Sequence, residues 1–442
     1  VRTARTAAAV IAAAAAALTL AAPGQAAPTA GETPSPTRTH HVEYFGADGH
    51  PHHTEVPTAT PDRLARDGSH APGAIAGDGD VTTIVQNGPT TEKLDIAVIG
   101  DGYTAADLDH FHTDARESWD ALRGVEPYTA HADLFNVWAV DAVSAESGVS
   151  GDPGQAVVRD TALDSYFWCD GTERLLCVDT DKVEDYAAFA PEADLVVVIA
   201  NSSKYGGAGY NHVSSGLGYD GIATHSGDNA QSGLVAVHET GHSLGKLADE
   251  YAYTDSEYTG PETAEANTSV YTAAEMASRQ TKWHHWLGEP TPDGGVLGTF
   301  EGAAYHTRGI NRPSENSLMR SLSSRDFNLV GREAMVAGFY RHASVLATGT
   351  ARTGALSRGD EVSVRVPELT GGASVDVRWY LNGEELRKLR GETTVKVARA
   401  LADADGGGRH RLRARATVVT DAVRDPALRE DLTGQRTWRA EG

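Results

Sequence analysis

Val237-His238-Glu239-Thr240-Gly241-His242-Ser243-Leu244-Gly245 is the stretch on which the reading of this 442-residue chain turns. Its pattern is HExxHxxG. In an α-helix, residues four apart share a face and lie roughly 6 Å apart along the axis. His238 and His242 can therefore aim two imidazoles at one zinc ion, and Glu239 can reach a water on that metal as general base. The flanks agree with a helix. Leu234, Val235 and Val237 are apolar, Ser232 stands where an N-cap belongs, and Gly245 stands where a helix can stop in a left-handed turn.

Catalytic zinc sites ordinarily take three protein ligands and keep one corner open. The longer zinc-peptidase pattern places a third histidine three residues after the glycine. Here that position is Ala248, which binds no metal, and Asp249 and Glu250 follow it. A continuous helix would carry Asp249 roughly 10 Å beyond His242, so the chain must turn back near Gly245. Asp249 is the expected third ligand, with the longer Glu250 as the alternative. The other carboxylate of the pair then supports a ligand histidine or forms an ion pair.

The segment from His238 through Lys246-Leu247-Ala248-Asp249-Glu250-Tyr251 resembles the active-site signature of the immunoglobulin-A-peptidase-like zinc metallopeptidases, which carries Asp-Glu-Tyr where other families place the third histidine. Further segments resemble that family in order. They are Asp95-Ile96-Ala97-Val98-Ile99-Gly100-Asp101-Gly102-Tyr103-Thr104, the cysteine loop from Trp168-Cys169-Asp170-Gly171 to Leu175-Leu176-Cys177-Val178-Asp179, Tyr205-Gly206-Gly207-Ala208-Gly209, Lys282-Trp283, and Arg312-Pro313-Ser314-Glu315-Asn316-Ser317-Leu318-Met319-Arg320. The resemblance implies a secreted, metzincin-like zinc endopeptidase with one Zn2+ per chain. It also implies that Met319 forms the methionine turn beneath the metal. The ordinary alternative for Met319 is a core methionine filling a gap.

Composition bounds the rest. A hydrophobic fraction of 40% with 22% charged residues describes a globular chain of two or three domains. A formal net charge of −23 disfavours nucleic acid and anionic membrane as partners. The expected partner is a protein or peptide substrate, met by a monomer. Arg2 and Arg5, the alanine-rich run 7–22 and the small residues 23–27 read as a secretory signal over residues 1–27. In that setting the only two cysteines, Cys169 and Cys177, read as one structural disulfide. Residues 28–79 are rich in Pro, Thr, Gly and His. Despite His40, His41, His50, His52 and His53, the composition predicts a linker or pro-segment, with Val42 to Phe45 able to add a strand.

Residues 80–347 are expected to form an α/β, zincin-like catalytic domain with a twisted sheet over the zinc helix. Strands are expected at 93–99, 136–143 and 193–200. Thr104, with Asp107 three residues on, is expected to cap a helix whose apolar face is Phe111, Ala115, Trp119 and Leu122. The 205–209 segment is expected to be an edge strand able to pair with an extended peptide. Gly216-Leu217-Gly218-Tyr219-Asp220-Gly221 fits GxGxxG, but it lacks the strand before and the helix after that a dinucleotide site needs. Period-two alternation at 361–366, 373–381, 393–398 and 409–419 predicts a small β-sandwich over 348–442, with Trp379 in its core.

The chemistry expected of the motif is peptide hydrolysis by zinc-activated water, with Glu239 as base and Tyr251 or Tyr305 stabilising the oxyanion. Two rivals remain. One is a secreted binding protein whose zinc is only structural, although no Cys or His adjoins the motif to close the shell. The other is a metallo-exopeptidase.

Overall fold

Two runs of apolar residues, Leu94-Asp95-Ile96-Ala97-Val98-Ile99 and Leu195-Val196-Val197-Val198-Ile199-Ala200, are buried throughout. A strand hidden on both faces is apolar at nearly every position; the exception, buried Asp95, accepts from Asn136 (2.9 Å) and Trp138 (2.8 Å). The computed structural model describes residues 38–46, 51–61, 64, 72–211, 213–350, 354–402, 404 and 408–441. The expected leader at residues 1–27 lies outside them.

In chain order the elements are β1 (Thr39–Phe45), β2 (Pro51–Pro57), β3 (Val81–Gln86), β4 (Leu94–Asp101), α1 (Leu108–Arg123), β5 (Phe135–Val140), α2 (Thr180–Ala187), β6 (Leu195–Ala200), β7 (Gly207–Tyr210), β8 (Ile222–Ser226) and α3 (Ser232–Ser243). They continue with β9 (Ala252–Glu257), α4 (Ala273–Arg279), β10 (Phe300–Ala303), β11 (Tyr305–Arg312) and α5 (Leu329–His342). Eight strands form one sheet in the order β2-β1-β7-β8-β6-β4-β5-β3. Its centre is parallel (β8, β6, β4, β5), while β7, β1, β2 and β3 are antiparallel additions at the two ends.

Alternation along the central strands splits the core into two layers. Ile96, Val98, Val197 and Ile199 face Phe111, Ala115, Trp119 and Leu122 of α1, Val237 of α3 and Phe339 of α5. Ala97, Ile99, Val196 and Val198 face Val183 and Tyr186 of α2 and the disulfide of Cys169 with Cys177. The helix that carries His238 and His242 therefore lies on the α1 side. A smaller sheet, β10-β11-β9, begins directly after that helix.

Two local expectations are corrected. The α1 helix starts at Leu108, and Asp107 is its N-cap. The Asp107 carboxylate accepts from Thr104 Oγ1 at 2.8 Å instead of capping the helix, so the pair closes a turn before it. Ser232 lies inside α3, whose N-cap is Gln231, because the Ser232 hydroxyl faces the Gly206 amide in the adjoining strand turn. Residues 39–45 and 51–57, inside the stretch whose composition predicts a linker or pro-segment, form the hairpin β1–β2.

After α5 come β12 (Ala347–Thr348), β13 (Glu361–Arg365), β14 (Ser374–Leu381), β15 (Glu384–Glu385), β16 (Thr394–Lys396), β17 (Arg409–Val419) and β18 (Thr433–Glu441). They make two small sheets, β12-β13-β16 and β15-β14-β17-β18. Val362, Val395, Trp379 and Leu412 bring both sheets into one apolar cluster with the α5 side of the large sheet. Trp379 is fully buried and stacks on Trp438.

The C-terminal end of α5 is held to the sheet by His342, which bridges Asp194 (2.9 Å) and Asp220 (3.0 Å). Burial disfavours the imidazolium, but the two carboxylates raise its pKa to about 9. That exceeds the unfolded value of about 6.5, so the contribution is complete below about pH 6.5 and is lost as pH rises through about 9. Urea unfolding is expected to show His342→Gln costing on the order of 2 kcal/mol near pH 6 and far less near pH 10. An equal cost at both pH values would contradict this pairing.

Candidate metal centre

The α3 helix buries His238, Glu239, Thr240 and Gly241 against the rest of the fold. Close packing requires the glycine: a Cβ at Gly241 would meet Met319 Sδ at 2.5 Å and Phe327 at 2.9 Å. Each ligand-type histidine is fixed from behind. His238 Nδ1 lies 2.8 Å from the Leu318 carbonyl, and His242 Nδ1 lies 2.7 Å from the Leu247 carbonyl. A carbonyl only accepts, so each Nδ1 carries the proton and each Nε2 is left to face forward. Those two Nε2 atoms are 3.1 Å apart.

The helix ends at Ser243 with Leu244 as its C-cap, and the left-handed residue is Lys246 (φ 49°), not Gly245 as the sequence suggests. Gly245 is instead pressed against the Gly241 carbonyl and Met335 Sδ. The returning chain is then held on three sides. Asn267 both accepts from the Ala248 amide (2.8 Å) and donates to its carbonyl (2.7 Å). The Glu250 amide donates to the Met319 carbonyl at 2.8 Å, and the Ala304 amide donates to the Asp249 carbonyl at 2.9 Å. Asp249 is thereby placed with Oδ1 3.3 Å from both His238 Nε2 and His242 Nε2. Its Oδ2 accepts from the Tyr305 hydroxyl at 2.8 Å.

Glu250 points the other way. Its buried carboxylate accepts from Ser317 (2.7 Å), Asn267 (3.0 Å) and Asn328 (2.9 Å). Asn328 also caps α5 through the Gly331 amide. Glu250 thus ties the turn at residues 317–319 to the start of the next helix, and its carboxylate is engaged away from the two imidazoles.

One more carboxylate joins the cluster, from a segment that the motif does not include. Glu43 of β1 places Oε1 3.1 Å from His238 Nε2 and Oε2 2.9 Å from His242 Nε2. His53 of β2 stands beside it, 3.5 Å from Glu43 Oε2 and 3.0 Å from the Tyr305 hydroxyl. The Tyr251 hydroxyl donates to Glu43 Oε1 at 3.2 Å. Glu43 and His53 belong to the histidine-rich stretch 28–79. The only available signals were the short apolar run at Val42–Phe45 and the histidines themselves.

Glu43, His238, His242 and Asp249 form a set of donor atoms that can hold one metal ion. Two atoms each about 2.05 Å from a tetrahedral zinc lie about 3.3 Å apart, close to the separations here. Asp249 Oδ1, Glu43 Oε2 and Glu239 Oε1 are buried with no hydrogen-bond partner among the described residues. Burial disfavours positive charge on the imidazoles, yet Glu43 and Asp249 raise His238 and His242 above their ordinary values. The pocket therefore calls for a cation. Two imidazoles with carboxylate oxygen suit zinc among the common metals.

Glu239 sits on the same helix turn. Its Oε2 accepts from Asn211 at 2.9 Å, and Asn211 in turn accepts from Ser243. Burial, then the charge of Glu43, pushes its pKa up. The backbone of β7 runs directly beside it, and a Cβ at Gly209 would collide with the Glu239 carboxylate. A cleft of about 610 Å3 opens onto the cluster, bordered by Asn211, Lys246, Tyr258 and Tyr305.

The family model described as IgA Peptidase M64 matches residues 82–294 and 291–339 of the chain. The match covers the central strands, the motif helix, Asp249 and Met319. No curated protein matches the sequence.

Proposed function

The chain belongs to the IgA peptidase M64 family, and is thus of a peptide-hydrolase family; from that premise we propose that it is a secreted, zinc-dependent endopeptidase with a zincin-like catalytic unit. The observation that carries the proposal is the convergence of His238 Nε2, His242 Nε2 and Asp249 Oδ1 within 3.3 Å of one another, with Glu239 one residue along the same helix. These three residues are the proposed metal ligands. A zinc ion held there supplies Lewis-acid polarisation of water and of the scissile carbonyl.

The chain's own residues supply the rest. Glu239, held through one oxygen by Asn211, accepts the proton of the attacking water on the other and delivers it to the leaving amine. Tyr251 is the better placed of the two tyrosines for the oxyanion. Its hydroxyl reaches the Glu43 oxygen that abuts the cluster, whereas the Tyr305 hydroxyl is engaged by Asp249. Internal cleavage is favoured over end trimming by the path of β1, which passes the cluster with chain on both sides of Glu43. Secretion is supported by the leader-like N-terminal sequence and the disulfide of Cys169 with Cys177. No helix among the described residues is long and apolar enough to cross a membrane. The family name does not make antibodies the substrate.

Glu239→Gln is expected to bind one zinc per chain and to lose at least about a hundredfold in peptide turnover, measured with a quenched peptide library and metal analysis. Parent-rate turnover by this variant would remove Glu239 from the chemistry. Tyr251→Phe is expected to lower kcat about 10- to 100-fold with little change in KM. A change confined to KM would show that Tyr251 only binds substrate. Product termini read by mass spectrometry separate internal cuts from end trimming.

A further inference from the structure

We infer that the β1–β2 hairpin is a built-in inhibitor of this site, with Glu43 as a fourth, removable ligand that occupies the corner substrate and water need. The inference rests on the metallopeptidase reading above and assigns that site its regulation.

A strand beside the motif helix is where an extended peptide would dock. The outer edge of β7 supplies it, and β1 already holds that edge, antiparallel, with Glu43 opposite Gly209. Gly209 is the residue whose backbone lies against Glu239. The register therefore puts the Glu43 side chain over the cluster in the place of a scissile bond. Both Glu43 oxygens are used against the two imidazoles, so the carboxylate closes a shell that three ligands leave open. The side chain is 1% exposed and packs over the two imidazoles at the floor of the cleft, where a substrate carbonyl would have to sit.

The hairpin is docked by more than Glu43. Phe45 packs edge-on against the His238 ring at 4.9 Å. Val42 and Val56 are fully buried and join Tyr210 and Val183 in the apolar layer on the α2 side. His53 is wedged between the Tyr251 and Tyr305 rings. Thr54 donates to Asp170 in the disulfide loop, and Thr60 donates to the Asp164 carbonyl. Through Asp170 the disulfide loop is one of the surfaces on which the hairpin rests. Activation requires the hairpin to leave, and a peptide-bond hydrolysis between Pro57 and Val81 would detach it from the rest of the chain.

The test uses the full chain loaded with Co2+, whose visible spectrum reports coordination, and with Zn2+ for turnover. The proteins are the parent, Glu43→Gln, Glu43→Ala, and a variant carrying a specific protease site in place of residues 65–71, before and after cutting. The Co2+ spectra of both Glu43 variants are expected to differ from the parent. A small hydroxamate is expected to bind them at least tenfold more tightly, and the zinc forms to cleave peptides at least tenfold faster. The cut variant should follow the same direction. Metal bound stoichiometrically, with spectra and hydroxamate affinity the same in parent, Glu43 variants and cut protein, would overturn the inhibitor role and leave the peptidase reading standing. Changed spectra without turnover in any form would support the ligand role and count against the peptidase reading. Failure of every form to bind metal would overturn both.

Discussion

Two imidazole nitrogens that cannot both keep their lone pairs to themselves set the constraint on this structure. The Leu318 and Leu247 carbonyls take the Nδ1 protons, so the neutral rings would face each other with lone pairs 3.1 Å apart. Two buried carboxylates stand next to them. Such a group of atoms is stable only around positive charge. Protons could supply it, but protons would not explain carboxylate oxygens left without aligned hydrogen bonds. A single divalent cation would satisfy the two imidazoles and both carboxylates at once.

Much of the surrounding fold holds those atoms in place. The turn around Met319 contributes the Leu318 carbonyl to His238 and the Met319 carbonyl to Glu250. Asn267 grips the peptide groups on either side of Ala248, which fixes the direction of Asp249. Glu250 binds that assembly to the N-cap of α5 through Asn328. Adjacent carboxylates thus have opposite orientations for a physical reason. Asp249 is short and follows the turn toward the imidazoles, while Glu250 reaches three donors on the far side.

What could be read from the sequence was set by local periodicity. The buried strands β4 and β6 were legible because both faces are apolar, and the apolar face of α1 was legible from its spacing. The imidazole pair and Glu239 were legible because one helix carries all three. Helix starts were less so: Thr104 and Ser232 resemble caps, but their hydroxyls are drawn to Asp107 and Gly206 by the tertiary fold. The hairpin was hardest. Glu43 reaches the cluster from 195 positions away in the chain, and its strand is stabilised by contact with β7 and the α2-side layer rather than by its own composition. Nothing local distinguishes such a segment from a solvated linker.

The most direct test of a cation at this point in space is anomalous scattering at the zinc edge from a crystal of the protein purified without added metal. The account predicts one peak per chain, about 2.1 Å from His238 Nε2, His242 Nε2 and an Asp249 oxygen. No peak there after zinc is supplied, or a peak bound by Glu250 in place of Asp249, would contradict it.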